Sequence, residues 1–146
     1  MTSVWEHARN EPANVAIILL DIDHFKSYND NYGHPQGDTC LRLLCQKIQQ
    51  SAHAHGAVAF RFGGEEVLVL MIGNAVQARE VAGALQTAVA ELKLPHPVLG
   101  ENALVTISLG VACATAPLTS AENLIGAADN ALYAAKRAGR NCVCFA

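Results

Sequence analysis

The feature that most constrains the fold is the unbroken apolar run from Val15 to Leu20, which Asp21 and Asp23 follow directly. A short run of this kind predicts a strand that is buried on both faces, because no polar residue alternates along it. It is far shorter than the roughly 20 residues that a bilayer-spanning helix requires. We therefore expect a sheet built around this strand, with Asp21 and Asp23 at the strand's end.

Composition defines the class of protein. The 146 residues are 51% hydrophobic and 16% charged, which predicts one domain (1–146) with a sizeable core. The net charge of −3 excludes a bulk electrostatic nucleic-acid binder. The five cysteines form no Cys-x-x-Cys pair, and the first residues lack the pattern of a secretory signal. These features predict a cytoplasmic domain with no membrane segment in this chain.

Hydrophobic spacing and turn residues predict the other elements. In order, they are a short helix (Thr2 to Asn10), the first strand, a polar turn-prone segment (Ser27 to Gly37), a helix carrying Leu41, Leu44, Cys45 and Ile48, a hairpin (Ala57 to Phe62 and Val67 to Ile72), a helix capped by Asn74, a strand (Leu104 to Ala112), a helix opened by Thr119 to Glu122 and a last strand (Cys142 to Phe145). This order predicts an α+β domain with a mostly antiparallel central sheet flanked by helices.

Acidic side chains at strand ends are the first chemical signal. If the first strand pairs with the hairpin, three or four carboxylates of the set Asp21, Asp23, Glu65 and Glu66 converge, and their mutual repulsion favours a bound Mg²⁺ or Mn²⁺. Such ions beside a sheet serve nucleotidyl transfer, in which they polarise an α-phosphate and activate a hydroxyl. An alternative stays open at this point, in which the two aspartates cap the next segment and the two glutamates are solvated turn residues.

Basic residues near the carboxylates could bind a triphosphate. Lys136 and Arg140 are four residues apart at the end of the last predicted helix, and Lys26 follows the first strand closely. The alternative is that Lys136 and Arg140 only stabilise the C-terminus of that helix, which needs no ligand.

Five separate motifs, in the same order and covering nearly the whole chain, resemble the GGDEF family of diguanylate cyclases. They are Asp21 to Asp30 (DIDHFKSYND), Gly33 to Asp38 (GHPQGD), Arg61 to Glu66 (RFGGEE), Thr106 to Gly110 (TISLG) and Ala131 to Asn141 (ALYAAKRAGRN). One Gly-Gly-Glu-Glu sequence alone would be weak support. Five motifs in order make coincidence implausible.

The resemblance implies a palm-like nucleotidyl cyclase fold and a role in bacterial signal transduction. Such a domain binds one GTP and, facing a second GTP-loaded copy in a transient homodimer, makes cyclic di-GMP and two pyrophosphates. The implied metal ligands are Asp21, the Ile22 carbonyl and Glu65. Glu65 and Glu66 are the implied catalytic residues, Glu66 binding metal or deprotonating the 3′-hydroxyl. The implied substrate-binding residues are Phe25, Lys26, Asn29, Asp38, Gly64, Lys136 and Arg140, with the backbone amides from Asp23 to Lys26 on the phosphates.

Within that set, Asn29 and Asp38 are expected to read the guanine edge, since a carboxylate accepts from the N1 and N2 hydrogens of guanine and would repel the unprotonated N1 of adenine. Gly64 is expected to let the hairpin backbone approach the nucleotide. Plainer interpretations also exist: Asp38 as a helix cap, Asn29 as a turn residue and Phe25 as a core aromatic.

Three departures from the family pattern bear on function. Val67 stands where the family has Phe, which predicts looser hairpin packing. The usual upstream segment, Asp-x-Leu-Thr-Gly-Leu-x-Asn-Arg, is missing, so the domain is short and upstream sensory or dimerising modules lie outside this chain. Ala54 and Ala57 replace the Arg and Asp of the family's product-inhibition site, which disfavours a cyclic di-GMP receptor. A GTP-binding regulatory module without turnover is the main alternative, and a palm-fold enzyme for another nucleotide is a third.

Overall fold

The computed structural model describes residues 14–115 and 120–146, so the predicted helix from Thr2 to Asn10 lies outside the described residues. The elements are β1 (Asn14–Ile22), α1 (Phe25–Tyr32), α2 (His34–Ala54), β2 (Val58–Gly63), β3 (Glu66–Ile72), α3 (Ala75–Glu91), a 3₁₀ turn (Pro97–Leu99), β4 (Ile107–Thr115), α4 (Ala121–Arg137) and β5 (Val143–Phe145). The α+β class predicted from the sequence is confirmed.

The apolar first strand lies at the centre of the sheet, whose strand order is β2-β3-β1-β4-β5. β1 runs antiparallel to both β3 and β4, and the short β5 runs parallel to β4. Alternate residues of β1 enter two separate cores. Ile18 and Leu20 pack on the side of α2 and α3, whereas Ile17 and Leu19 pack on the side of α4. Burial on both faces explains why no polar residue interrupts the run.

The segment from Ser27 to Gly37, predicted as a turn, is instead helical. Phe25, Tyr28 and Tyr32 stand at one-face helical spacing, and α1 packs them on the core because that burial outweighs the weak helix propensity of the polar residues between them. Gly33, with φ of 88°, separates α1 from α2. Asp38 therefore lies inside α2, and its interpretation as a helix cap is wrong.

The start of α3 follows the predicted side-chain cap, whereas the cap of α4 is one residue after the first residue of the predicted capping box, Thr119. Asn74 caps α3 and forms a reciprocal capping box with Gln77. The cap of α4 is Ser120, which accepts a hydrogen bond from the backbone N–H of Asn123. β4 begins at Ile107 rather than at Leu104, because Leu104 makes only an isolated bridge to Pro95.

α4 crosses β4 at very short range, and Gly110 makes the crossing possible. A Cβ at Gly110 would lie 2.2 Å from the backbone nitrogen of Leu132 and 2.3 Å from the backbone oxygen of Ala128. Because both atoms belong to the helix backbone, they cannot move aside as a side chain can. The separation of α4 from the sheet is thus fixed at this residue.

Two chain-wide expectations can be compared with the structure. No helix in the ranges 14–115 and 120–146 is long and apolar enough to cross a membrane. All five cysteines lie in these ranges and none is disulfide-bonded. Val67 is buried and borders a cavity of about 580 Å³ together with Leu41 and Phe60, and looser hairpin packing at this position stays a prediction.

Candidate active site

The predicted site residues, with the exception of Glu66, line two neighbouring cavities at the end of β1. The carboxylate cavity, of about 530 Å³, is lined by Asp21, Ile22, Asp23, His24, Phe25, Lys26, Ser27, Asp30, Asn31, Glu65, Lys136 and Arg140. The amide cavity, of about 420 Å³, is lined by Phe25, Lys26, Asn29, Asp30, His34, Asp38, Leu41, Arg61, Gly64 and Glu65. Because four residues line both, the two cavities form one continuous cleft.

Asp21 is buried at the edge of this cleft, with 6% of its surface exposed. Its Oδ2 accepts a hydrogen bond from Lys136 Nζ at 2.5 Å, whereas its Oδ1 is buried and has no hydrogen-bond partner among the described residues. Burial raises the pKa of Asp21, the hydrogen bond and charge of Lys136 act against that rise, and the charge of Glu65 adds to it. A buried carboxylate oxygen without a donor is costly, so this atom fits a cation ligand.

The hairpin brings two further carboxylates towards Asp21. Glu66 lies directly opposite Asp21 in the β1–β3 register, and Glu65 in the turn lines both cavities. Burial raises the pKa of Glu66, and the negative charges of Asp21 and Asp129 raise it further. In the described ranges, no three His, Cys, Asp or Glu side chains are placed to hold one metal ion. A cation in the cleft would thus also need oxygens from the backbone or a ligand.

Of the three or four carboxylates predicted to converge, Asp23 lines the carboxylate cavity but is engaged in hydrogen bonds within the protein. Its carboxylate accepts hydrogen bonds from Thr106 Oγ1 at 2.7 Å, Ser108 Oγ at 2.5 Å and the backbone N–H of Asn141 at 3.0 Å. Asp23 is only 4% exposed, so these three donors satisfy it in the interior. Its role in the structure is to join the end of β1 to β4 and to the turn after α4.

Basic side chains reach the carboxylate cavity from two elements. Lys136 lies in the last turn of α4, and Arg140 lies beyond the helix end with φ of 65°. The four-residue spacing predicted that Arg140 and Lys136 share one face of the helix. Because α4 ends at Arg137, Arg140 lies instead in the turn that follows, and that turn brings Arg140 to the carboxylate cavity. Lys26 is exposed and lines both cavities.

The amide cavity contains the residues predicted to read a base. Asn29 of α1 and Asp38 of α2 line it together with Gly64, which has φ of 35° in the hairpin turn. Arg61 Nε donates a hydrogen bond to the Gly64 carbonyl at 3.0 Å and so braces that turn. Sequence reasoning assigned no role to Arg61, although its place three residues before a turn glycine was visible.

The start of α1 has an unusual support. His24 precedes α1 in the left-handed conformation, with φ of 54°, and its side chain does not cap the helix. The buried His96 lies with Nε2 3.2 Å from the His24 carbonyl, so Nε2–H donates to that oxygen. Because no side chain of the described residues caps α1, its first N–H groups remain available beside the carboxylate cavity. No periodicity or motif in the sequence indicated this position of His96.

Comparisons with known proteins agree with this arrangement. The family model described as "Diguanylate cyclase, GGDEF domain" matches residues 1–142. Diguanylate cyclase VdcA of Vibrio cholerae is 39% identical over 131 residues, which are 88% of this chain and 38% of that protein. Diguanylate cyclase A of Treponema denticola is 38% identical over 130 residues, which are 88% of this chain and 34% of that protein. The chain thus spans well under half of these curated relatives.

A solved structure shares the fold. The coiled coil and GGDEF domain of DgcB from Caulobacter crescentus, in complex with c-di-GMP, superposes with a TM-score of 0.84. It is 30% identical in sequence and covers 97% of this chain, which corresponds to 74% of the DgcB chain. With the family match over almost its whole length and the signature hairpin beside Asp21, this chain belongs to the GGDEF domain family of diguanylate cyclases.

Proposed function

We propose that this domain is an active diguanylate cyclase that condenses two GTP molecules into cyclic di-GMP and two pyrophosphates. The observation that carries the proposal is the cleft at the end of β1. One end holds the unpartnered Oδ1 of Asp21 beside Glu65 and Lys136, and the other end holds Asn29 and Asp38. The first set suits phosphates with a cation, and the second suits a base.

The donor set fits a hard divalent cation, Mg²⁺ or Mn²⁺. Asp21, Glu65 and the Ile22 carbonyl supply only oxygen, which these ions prefer. Two carboxylates leave room for nucleotide oxygens to complete the coordination. When bound, such an ion polarises the α-phosphate and lowers the pKa of an attacking hydroxyl.

Phosphate binding is assigned to the basic side of the cleft. The free N–H groups at the start of α1 and the side chains of Lys26, Lys136 and Arg140 surround the carboxylate cavity. Lys136 is engaged with Asp21 in the free domain. A triphosphate in the cavity offers Lys136 a new anionic partner, so Lys136 can move from Asp21 to the nucleotide.

In the proposed reaction, the 3′-oxygen of one GTP attacks the α-phosphorus of the other. A phosphorus–oxygen bond forms while the bond to pyrophosphate breaks, and the hydroxyl proton passes to a base. Glu66 is the proposed proton acceptor or an additional cation ligand, and its raised pKa makes it a better base than an exposed glutamate. The step then repeats with the roles exchanged: the 3′-oxygen of the second nucleotide attacks the α-phosphorus of the first, the second pyrophosphate leaves, and the ring is closed.

The product requires two domains facing each other, because one cleft of this size holds one nucleotide. The proposal therefore includes a transient homodimer, assisted by sensory or dimerising modules outside this chain. The solved DgcB structure contains a coiled coil next to its GGDEF domain. A cytoplasmic location is part of the proposal, since GTP is available there.

The direct experiment is to incubate the purified domain with GTP and Mg²⁺ and to identify the products by mass spectrometry. We expect cyclic di-GMP and pyrophosphate in a 1:2 ratio, with no product when the cation is removed by chelation. GTP that is bound but recovered unchanged at high protein concentration would contradict the proposal and would support a regulatory module instead.

Base selection gives a further prediction. Asp38→Ala removes the acceptor proposed for the N1 and N2 hydrogens of guanine, so the KM for GTP is expected to rise roughly 10- to 100-fold. Asp38→Asn keeps one acceptor oxygen, so its KM for GTP should lie between those of the wild type and Asp38→Ala. Steady-state rates with GTP, and binding of ATP as competitor, measure the effect. An unchanged KM in Asp38→Ala would show that Asp38 does not contact the base.

Assembly can be tested by dilution. Since two loaded domains must meet, the initial rate per mole of protein should rise with protein concentration, and a fused dimeric coiled coil should remove that dependence. The matched control is the same fusion with a coiled coil whose core positions are mutated to keep it monomeric. A constant specific rate from a protein that light scattering shows to be monomeric would contradict the two-domain reaction.

A further inference from the structure

Gly37 stands out among the helical glycines of this domain. It lies in the first turns of α2, is buried, and does not have a positive φ, so the backbone alone would accept any residue. A Cβ at this position, however, would lie 1.6 Å from Asn29 Oδ1 and 2.8 Å from Asn29 Cγ. The requirement for glycine therefore comes from the Asn29 side chain.

The Asn29 carboxamide has an unsatisfied hydrogen-bond acceptor. Its Oδ1 is buried and has no hydrogen-bond partner among the described residues, although the residue as a whole is half-buried and lines the amide cavity. An unpaired buried acceptor costs free energy that a rotated side chain could recover in solvent. Because the oxygen is directed at Gly37 and Nδ2 lies farther away, 3.5 Å from the position of a Cβ there, Nδ2 is the amide atom left to donate to a ligand in the cavity.

We propose that Gly37 is a positioning residue for base recognition, an inference that rests on the proposed function. The space left by its missing side chain holds Asn29 so that an N–H donor stands beside the Asp38 carboxylate acceptor. Guanine offers oxygen and nitrogen acceptors next to its N1 and N2 hydrogens, so it can pair with both groups. Adenine has no N1 hydrogen for the carboxylate. Gly37 thus contributes to the choice of guanine without contacting it.

The test uses 3′-deoxy-GTP with Mg²⁺, because this nucleotide lacks the attacking hydroxyl and is not consumed. Calorimetry measures its Kd for the wild type, Gly37→Ala, Asn29→Ala and the double variant. We expect Gly37→Ala to weaken binding roughly 10- to 100-fold, to about the same level as Asn29→Ala. The double variant should be no weaker than Asn29→Ala, since Gly37 acts only through Asn29. Binding of 3′-deoxy-ATP should change little.

A matched control separates positioning from folding. Gly126 lies within α4, and a Cβ there would meet no atom within 4 Å. Gly126→Ala should bind 3′-deoxy-GTP like the wild type and melt at the same or a higher temperature. Gly37→Ala should also stay folded, since alanine favours the helix and Asn29 can rotate away. If Gly37→Ala alone is unstable, the double variant removes the clash, because Asn29→Ala leaves room for the new methyl group. The Kd of the double variant compared with that of Asn29→Ala then still shows whether Gly37 acts only through Asn29.

Two results would overturn the inference while leaving the proposed function intact. One is wild-type affinity in Gly37→Ala. The other is a double variant weaker than Asn29→Ala by the same factor that separates Gly37→Ala from the wild type, which would show that Gly37 acts independently of Asn29. Failure of the wild type itself to bind 3′-deoxy-GTP would instead remove the proposed function, and this inference with it.

Discussion

Asp21→Ala is expected to lower the rate of cyclic di-GMP formation by at least about 10³-fold, because cation stabilisation of the transferred phosphate contributes several kcal/mol. The same change should not lower the melting temperature. Asp21 is buried with one oxygen unpartnered, and its partner Lys136 has a side chain that is 33% exposed and can be solvated. Product formation by chromatography and thermal unfolding measure the two effects separately.

Asp129→Ala is the matched control for the loss of charge. Asp129 is an exposed residue of α4 that acts on Glu66 through its negative charge but lines neither cavity of the cleft. It should keep most of the wild-type rate. Activity within tenfold of wild type in Asp21→Ala, or equal losses in both variants, would exclude Asp21 as the ligand that supports the reaction.

Gly110→Ala is expected to destabilise the fold by at least about 3 kcal/mol, which corresponds to a melting temperature lower by about 10 °C. The added methyl group meets backbone atoms of Leu132 and Ala128 at 2.2 and 2.3 Å, so α4 must move away from β4. Urea denaturation gives the free energy of unfolding. Because α4 carries Lys136, catalysis should also fall in whatever fraction remains folded.

Gly126→Ala on the same helix is the control, since its Cβ meets open space and alanine should add up to about 1 kcal/mol of stability. A free energy of unfolding for Gly110→Ala that lies within experimental error of the control would mean that α4 can sit farther from the sheet than the structure has it.

Local patterns predicted the parts of the fold that depend on neighbouring residues. The apolar run of β1, the hairpin around Gly64 and the cap at Asn74 each express a short-range rule, and each is present in the structure. The prediction of a turn in the polar stretch after Asp23 was wrong, because α1 forms through the tertiary burial of Phe25 and Tyr28. Three aromatic residues at helical spacing form a periodic pattern too short to predict a helix among many turn-prone residues.

The fate of each carboxylate could not be predicted in the same way. Asp21 and Asp23 are two residues apart at the same strand end and line the same cavity, yet Asp21 keeps one oxygen without a donor among the described residues, whereas Asp23 accepts three hydrogen bonds. The difference depends on which distant elements arrive beside them. Neither composition nor local spacing indicates that the donors to Asp23 come from residues more than 80 positions away. The hydrogen bond from His96 to the start of α1 could not be predicted for the same reason.

The sequence distance between partners also has a consequence for biosynthesis. Lys136 pairs with Asp21 across 115 positions, and the backbone of Asn141 donates to Asp23 across 118. β4 and the turn after α4 complete the surroundings of β1 only after the segment from Asn14 to Asn141 has been translated. Contacts of such high sequence separation form late and slow the search for the native state. A nascent chain on the ribosome therefore carries Asp21 and Asp23 without these partners until Asn141 has been made, and nucleotide affinity should emerge only after that point.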